Sequence, residues 1–533
     1  MTRAQRVSLR KFRPTRQART TLVLACAAVL FLSACGGGTA VDQTSTTAGD
    51  PVAGGSAALT YNSEPRTLDP AALSNTWAHQ AVLGNALYGT LIVNNVDTLA
   101  IEYKMATDFS TTDGGRTFML KLRPGLQFTD GTALDAAAVK FNWDRLRDPA
   151  LASTSLRQAA QVASNDVVDA TTLRVTMTSP SPHFPQNLLA GAMNWIASPT
   201  ALQKGQAAFD AEPVGAGPFT LTKWMRQDVI ELSKNTGYWD APRPYLDSIT
   251  LRAASDNAQR LNAVTTGAVD VAAETSWANL AKAEEAGFPT QTVPLGGGQF
   301  IGMNFRRAPF DDPRARRAVI LAIDPESVNV AVYNGKGQVP ATLFQKNSPY
   351  FTDIALPSPD KAEAQKLFDE LAAEGKPVSF AFTTYPTPEA KATAESVQAQ
   401  LSAFENVEAK IDVVDFAAAT ARTAAHDFDM TITSALIQDP DSGLWNAFHS
   451  TSRGNTIGVD DRELTAALDA GRVAEDPAAR KEAYETVQNR LVALNPGIWY
   501  VRSSPSVITG KNVHGAQMYG LGSPLPEELW FQN

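Results

Sequence analysis

Cysteine and histidine are scarce in this sequence, and their scarcity excludes several kinds of chemistry. Among 533 residues there are two cysteines and five histidines. The histidines are widely scattered, and no two have the spacing by which a helix binds a metal. No Gly-x-Ser-x-Gly elbow and no complete phosphate-binding loop is present. The segment 439–443 begins like a calcium loop, but Ser450 stands where the last acidic ligand would be. We therefore expect a protein that is not an enzyme and that has no cofactor and no metal site.

Long apolar runs are also rare, and the one near the N-terminus is too short to cross a membrane. It covers residues 22–34, which as a helix would be about 20 Å long, whereas the hydrocarbon core of a bilayer is about 30 Å thick. Seven cationic residues and no acidic residue precede it. A basic start, a short apolar middle and small residues at the end predict a signal peptide over 1–34. The choice between Sec and Tat export stays open.

The residues that close this apolar run indicate a lipid anchor. Leu32-Ser33-Ala34-Cys35 resembles the bacterial lipobox, in which the cysteine is diacylated and becomes the first residue of the mature chain. Cys26 lies inside the run, where cleavage would leave an apolar N-terminus. Because two acyl chains anchor a protein stably, we expect an exported protein that Cys35 holds at the outer face of the cytoplasmic membrane, in the periplasmic or cell-wall space. The alternative is an ordinary signal peptide that happens to contain a cysteine.

Charge and size limit what the rest of the chain can bind. Without the signal, 39 basic and 55 acidic residues remain, a net charge of −16. Such a balance argues against binding of nucleic acid, or of anionic membranes through the protein body. With Cys35 acylated, no cysteine remains for a disulfide, so the core must supply the stability. About 490 residues are too many for a single core, and two or three domains are expected.

The order of sequence patterns divides the mature chain into parts of different character. Residues 36–57 are mainly Gly, Ser, Thr and Ala and predict a flexible tether. Alternating apolar residues then predict strands at 117–123, 172–178, 229–232 and 249–251. Farther on, capping residues predict helices at 313–323 and 360–374. The succession of a strand at 378–384, a helix at 388–404 and a strand at 407–414 predicts a βαβ unit with a parallel sheet.

A series of short motifs extends over the whole mature chain and resembles one family. Each motif alone is weak, and we expect the motifs to encode fold rather than ligand contact. In their order, however, they are similar to those of the extracellular solute-binding proteins of peptide-type ABC importers, the oligopeptide, dipeptide and nickel-binding family (family 5). The motifs lie at 68–70, 85–91, 128–132, 138–141, 213–219, 235–239, 244–247, at Asn304 and at 309–318.

The resemblance implies a fold class, a domain division and a function. The fold would be α/β, the two-lobed periplasmic-binding-protein-like fold (type II, three-domain peptide-binding variant) with mixed sheets and a hinge. Lobe I would comprise 58–90, 214–300 and 501–533, an extra β-rich domain 91–213, and lobe II 301–500. The protein would capture peptides and deliver them to an ABC permease and its ATPase, as a monomer. Alternatives on the same scaffold are a non-peptide solute (an oligosaccharide, opine, modified amino acid or nickel chelate) or a signalling lipoprotein without transport.

The binding site is where this chain departs from the family pattern. Peptide binders of the family pair the ammonium group of the peptide with an Asp four residues before a Pro, and Leu436 occupies that position here. Because an apolar side chain cannot pair with a charge, either Asp439 or Asp441 takes the role, or the solute has no free amine there. The alternative for Asp439 is that it caps a helix and does not contact the ligand. The aromatic candidates are Trp277 and Trp445, and Asn304 of the motif series is a further candidate for ligand binding.

Overall fold

The computed structural model describes residues 49–532. The predicted signal peptide, Cys35 and the first part of the predicted tether lie outside the described residues. The first strand begins at Ser56, so the last two residues of the predicted tether belong to the folded body. The reason is that Ala57, Leu59 and Tyr61 alternate toward the core and are at most 4% exposed.

The strands and helices are numbered in chain order. The strands are β1 (Ser56–Tyr61), β2 (Ile92–Asn94), β3 (Ile101–Tyr103), β4 (Ala106–Thr111), β5 (Thr117–Leu122), β6 (Val162–Val167), β7 (Thr172–Met177), β8 (Phe219–Met225), β9 (Val229–Lys234), β10 (Ser248–Ala253), β11 (Val271–Glu274), β12 (Thr290–Thr292), β13 (Gly296–Met303), β14 (Val378–Thr384), β15 (Val407–Val413), β16 (Met430–Ile437), β17 (Gly497–Val501), β18 (Ser506–Thr509), β19 (Val513–His514), β20 (Met518–Tyr519), β21 (Ser523–Pro524) and β22 (Trp530–Phe531). The helices are α1 (Ala81–Tyr88), α2 (Ala136–Arg145), α3 (Leu156–Ala159), α4 (Phe184–Leu188), α5 (Pro199–Leu202), α6 (Gln206–Ala211), α7 (Asn257–Thr265), α8 (Trp277–Glu285), α9 (Pro313–Ala322), α10 (Pro325–Tyr333), α11 (Lys361–Ala373), α12 (Pro388–Leu401), α13 (Phe416–Ala424), α14 (Pro440–Phe448), α15 (Arg462–Val473) and α16 (Pro477–Leu494).

Three sheets of four or more strands organise the described chain. The first sheet has the order β12-β18-β11-β1-β10-β9-β8, the second β15-β14-β16-β13-β17 and the third β4-β5-β7-β6. The strands of the first sheet lie between 56 and 61, 219 and 292, and 506 and 509; those of the second lie between 296 and 303 and between 378 and 501; those of the third lie between 106 and 177. The division into two lobes and an extra domain stays a prediction. That these parts move against each other stays a prediction.

The elements predicted from capping and periodicity are present. Asp312 caps α9 by accepting a hydrogen bond from the backbone N–H of Arg314 at 2.9 Å. The predicted βαβ unit is formed by β14, α12 and β15, and the two strands are parallel. Helix α12 ends at Leu401, three residues earlier than predicted, and Ser402 is its C-terminal cap residue.

The second sheet packs into apolar cores different from the core of the other two sheets. The first and third sheets share one apolar core. The second sheet has a different core on each face, because neighbouring residues of a strand point to opposite faces. In β13, Phe300 packs in one of these cores and Ile301 in the other. No helix in the described part of the chain is both long and apolar enough to span a bilayer.

The chain crosses between the first and second sheets twice, and the backbone N–H of Val293 joins the two crossings by donating to the Pro505 carbonyl oxygen at 2.9 Å. The crossings are residues 293–295 and 502–505. The Arg502 guanidinium donates hydrogen bonds to the carbonyl oxygens of Thr342, Leu343 and Gly297 at 2.8, 3.2 and 3.3 Å. Burial lowers the pKa of Arg502 to about 10. Gly298 has a φ of +131°, and a Cβ there would lie 2.2 Å from the Val501 carbonyl oxygen, so β13 and β17 can approach this closely only with glycine at that position.

Candidate functional site

Residues of strand β16 line two cavities, and each cavity is lined on its opposite side by residues from outside the second sheet. The first, which we call the arginine cavity, has a volume of about 390 Å³; residues 434–436 and Arg472 line one side, and residues 157–190 line the other. The second, the tyrosine cavity, has a volume of about 700 Å³ and lies between residues 255–279 and the second sheet. A third cavity, within the first sheet, measures about 20 Å³ and is too small for a solute.

Strand β16 has a free edge between these cavities. It pairs with β13 along its whole length. With β14 it pairs only through Met430 and Thr431. Beyond Thr431, the Tyr385 hydroxyl donates a hydrogen bond to the Ile432 carbonyl oxygen at 2.9 Å. The main chain from Ser434 to Leu436 therefore faces the arginine cavity without a neighbouring strand on that side.

Arg157 and Arg472 bring two positive charges to the arginine cavity. Arg157 lies in α3, and its guanidinium donates a hydrogen bond to the Asn446 side chain. Burial, and then the charge of Arg472, lower the pKa of Arg157. The other lining side chains are uncharged, and within residues 49–532 no acidic side chain lines this cavity.

Asp441 and Trp445 hold Arg472 in place. The Asp441 carboxylate accepts a hydrogen bond from Arg472 Nε at 2.7 Å and is 1% exposed. Burial raises the pKa of Asp441, and the charge of Arg472 opposes this effect. The Arg472 guanidinium lies 4.1 Å from the centroid of the Trp445 ring, which also stacks on His449 at 4.4 Å. Of the five predicted ligand-binding residues, Trp445 lines the arginine cavity. Asp441 does not line it but is bonded to Arg472, which does.

Asp439, one of the two predicted replacements for the ammonium-binding Asp, is bonded to side-chain and backbone groups of the protein. Its carboxylate accepts two hydrogen bonds from Arg480, at 2.8 and 2.9 Å. It also caps α14 by accepting from the backbone N–H of Asp441 at 3.0 Å. Burial lowers the pKa of the Arg480 guanidinium, but the negative charge of Asp439 and its hydrogen bonds raise it by more, so the pKa is raised overall. With both oxygens bonded inside the protein, Asp439 fits the alternative role of helix cap.

Asn304 and Trp277 also serve the fold and line neither cavity. The Asn304 amide donates to the carbonyl oxygens of His426 and Phe428, at 3.0 and 2.7 Å, and is 0% exposed. The Trp277 indole donates to the carbonyl oxygen of Arg502 at 2.7 Å and thereby contacts the second crossing. The Asn304 side-chain oxygen also accepts from the backbone N–H of Arg306 at 3.1 Å. Both side chains thus bond to the backbone, and their role in ligand binding stays a prediction.

The tyrosine cavity combines aromatic and acidic side chains. Tyr385 stacks on Phe416 with ring centroids 5.5 Å apart. The Tyr500 hydroxyl donates to the Gln299 side chain at 2.5 Å. Burial raises the pKa of Tyr385 and of Tyr500, so both hydroxyls remain protonated at neutral pH. Asp256 and Glu389 also line this cavity.

Neither of the two arginines belongs to a sequence motif that would indicate a binding role. Arg157 belongs to α3, a helix of four residues without a side-chain cap. Arg472 lies in the last turn of α15, where a cation is favoured by the helix dipole alone. Only the tertiary fold brings these positions, which are 315 residues apart, to one cavity.

The sequence matches the model of one protein family and is similar to several known proteins. Residues 100–455 match the family model for bacterial extracellular solute-binding proteins, family 5. The glutathione-binding protein GsiB of Escherichia coli K12 is 31% identical over 321 residues, or 60% of this chain. This alignment spans 61% of the relative's length. The GsiB of Salmonella paratyphi A is 28% identical over 466 residues, 84% of this chain and 89% of that protein.

Solved structures share the fold. NikA from Brucella suis in complex with Fe(III)-EDTA has a TM-score of 0.77 at 23% identity and covers 89% of this chain and 100% of its own. AgaA from A. tumefaciens R10, in complex with agropinic acid, has a TM-score of 0.74 at 24% identity over 90% of this chain and 99% of its own. AppA from Bacillus subtilis, in complex with a nonapeptide, has a TM-score of 0.74 at 21% identity over 91% of this chain and 100% of its own. The predicted two-lobed binding-protein fold is confirmed.

Proposed function

The chain belongs to family 5 of the bacterial extracellular solute-binding proteins, and from this premise we propose that it captures a peptide or peptide-like solute and delivers it to the permease of an ABC importer. Proteins of this family act outside the cytoplasm as binding components of importers and are not enzymes. Their solutes differ, however, so the solute of this chain has to be argued from its own cleft.

The free edge of β16 supports an extended peptide-like solute. Between Ser434 and Leu436 the edge of β16 that faces away from β13 has no partner strand, and an extended chain can pair with its main-chain groups except the Leu436 carbonyl oxygen, which packs against Gly443 of α14. The cavities at 432 and at 434–436 leave room for side chains along the same strand. This edge is the observation that carries the proposal.

The proposal includes closure of two lobes over the solute. Lobe I (58–90, 214–300 and 501–533) and lobe II (301–500) would hinge at the two crossings, and the extra domain (91–213) would contribute the Arg157 side of the cavity. The partner would be a permease with its ATPase, and the binding protein would act as a monomer.

A non-peptide solute is the second candidate, because Leu436 replaces the carboxylate that would pair with a peptide ammonium. Native mass spectrometry of the freshly purified protein tests both candidates. We expect a co-purified series of short peptides or peptide-like compounds. A homogeneous sugar or metal chelate would contradict the peptide assignment. Uptake of the identified solute should be lost when the gene is deleted; unchanged uptake would favour a signalling lipoprotein.

The proposal places the protein at the outer face of the cytoplasmic membrane through acylation of Cys35. Replacing this residue by Ser removes the thiol that would be acylated, so we expect Cys35→Ser to release the protein into the soluble extracytoplasmic fraction. Cys26→Ser is the matched control and should leave the protein in the membrane fraction. Retention of Cys35→Ser in the membrane would refute the anchor.

A further inference from the structure

We propose that the arginine cavity binds a carboxylate of the solute between the guanidinium groups of Arg157 and Arg472. This inference rests on the proposed function, since it names the chemistry that one end of the captured solute presents. It reverses the charge that the family resemblance implied for this end of the cleft.

Arg157 is available for an anion. Its hydrogen-bond partner is the neutral amide of Asn446, and among residues 49–532 it forms no ion pair within 4.0 Å; the carboxylate whose charge reaches it is that of Asp441, which is paired with Arg472. Arg157 and Asn446 both line the arginine cavity. Because Asp441 is the carboxylate near both arginines and is bonded to Arg472, one positive charge of the pair is left without a bonded carboxylate.

Arg472 has donors to spare. Its Nε is bonded to Asp441, whereas its two Nη groups have no hydrogen-bond partner in the described part of the chain. Trp445 stacks against the guanidinium plane and fixes its direction. Asp441 neutralises one of the two arginine charges, so a solute group with a single negative charge balances the cavity.

The rest of the lining is suited to a carboxylate and not to an ammonium group. Leu436 lies at this end of β16, and no acidic side chain lines the cavity among the described residues. The side-chain amides of Gln158, Gln186 and Asn446 can donate further hydrogen bonds. Because two guanidinium groups on opposite sides of the cavity repel each other, an anion between them also favours the arrangement in which both sides are close.

The test compares two probes that differ only in the charge of one end. N-acetyl-Ala-Ala-Ala with a free carboxylate and the same peptide as its C-terminal amide are titrated into the purified protein by calorimetry. A charge-assisted hydrogen bond predicts that the free acid binds about 10- to 100-fold more tightly. Arg157→Gln should reduce this preference to less than about 3-fold. Arg453→Gln, an exposed arginine of the same chain outside both cavities, should leave it unchanged.

Inorganic phosphate provides a further arm, since guanidinium groups also bind phosphate. We expect 10 mM phosphate to compete weakly, and competition stronger than that of the free-acid peptide would overturn the carboxylate assignment. Equal affinity for the two peptides, or a preference that survives in Arg157→Gln, would also overturn it and leave solute capture intact. Absence of binding by every probe, together with absence of a co-purified solute, would overturn solute capture and this inference with it.

Discussion

Replacing Asp439 by Asn tests whether this residue stabilises the fold or contacts the solute. The substitution keeps a side chain that caps helices well, so α14 retains its N-cap. It removes the charge opposite Arg480, whose side chain is 4% exposed. An uncompensated buried charge costs about 3–5 kcal/mol.

The expected change in melting temperature follows from the size of the protein. Unfolding entropy amounts to about 1 kcal/mol per kelvin for roughly 480 folded residues that unfold as one unit. Asp439→Asn should therefore lower the melting temperature by about 3–5 °C, and by more if the second-sheet part unfolds on its own. Differential scanning calorimetry at pH 7 measures this change.

Two further variants make the result specific. Asp415 caps α13 and has no ion-pair partner among the described residues, so Asp415→Asn should leave the melting temperature within about 1 °C. The double variant Asp439→Asn/Arg480→Met removes the orphaned charge and should recover most of the loss. If Asp439→Asn loses solute affinity but no stability, the reasoning from the ion pair is refuted.

Two other substitutions test burial and close packing. Glu527 is 3% exposed, and burial raises its pKa to about 7, above its value in the unfolded chain. The folded protein therefore loses about 3 kcal/mol of stability as the pH rises from about 4.5 to 7, because the buried carboxyl must give up its proton. Glu527→Gln should match the wild type in melting temperature near pH 4.5 and exceed it by about 3 °C at pH 8, and a pH-independent difference would contradict this. In Gly443→Ala the new Cβ would lie 2.3 Å from the Leu436 carbonyl oxygen, so α14 must shift, and we expect a loss of about 1–3 kcal/mol in calorimetry. Ser442→Ala is its exposed control, and equal stability of the two variants would refute the steric argument.

The fold was largely predictable because its determinants are local or belong to ordered motifs. The βαβ unit of β14, α12 and β15 follows from periodicity and from the caps at its helix. Starting β1 at Ser56 was missed because Ser56 and Ala57 continue the small-residue composition of the tether, and only pairing with β10 orders them.

The candidate site was much less predictable, because partners distant in the chain decide what each side chain does. From its place in the sequence Asp439 is available to a ligand, whereas in the structure Arg480, 41 residues later, bonds both of its carboxylate oxygens. Leu436, by contrast, was recognised as a departure from the sequence alone. The arginines that accompany this departure could not be found in the same way, because neither belongs to a motif.

The free edge of β16 also bears on how the protein avoids aggregation. An unpaired strand edge can recruit strands of other molecules, and proteins usually protect such edges with charges, prolines or covering segments. Here the unpaired main chain lies between the walls of a cavity, so a single extended chain can reach it, whereas a sheet would have to bring its further strands between the same walls. The walls of the cavity therefore act as the covering segments of this strand edge and limit its pairing with the sheets of other molecules.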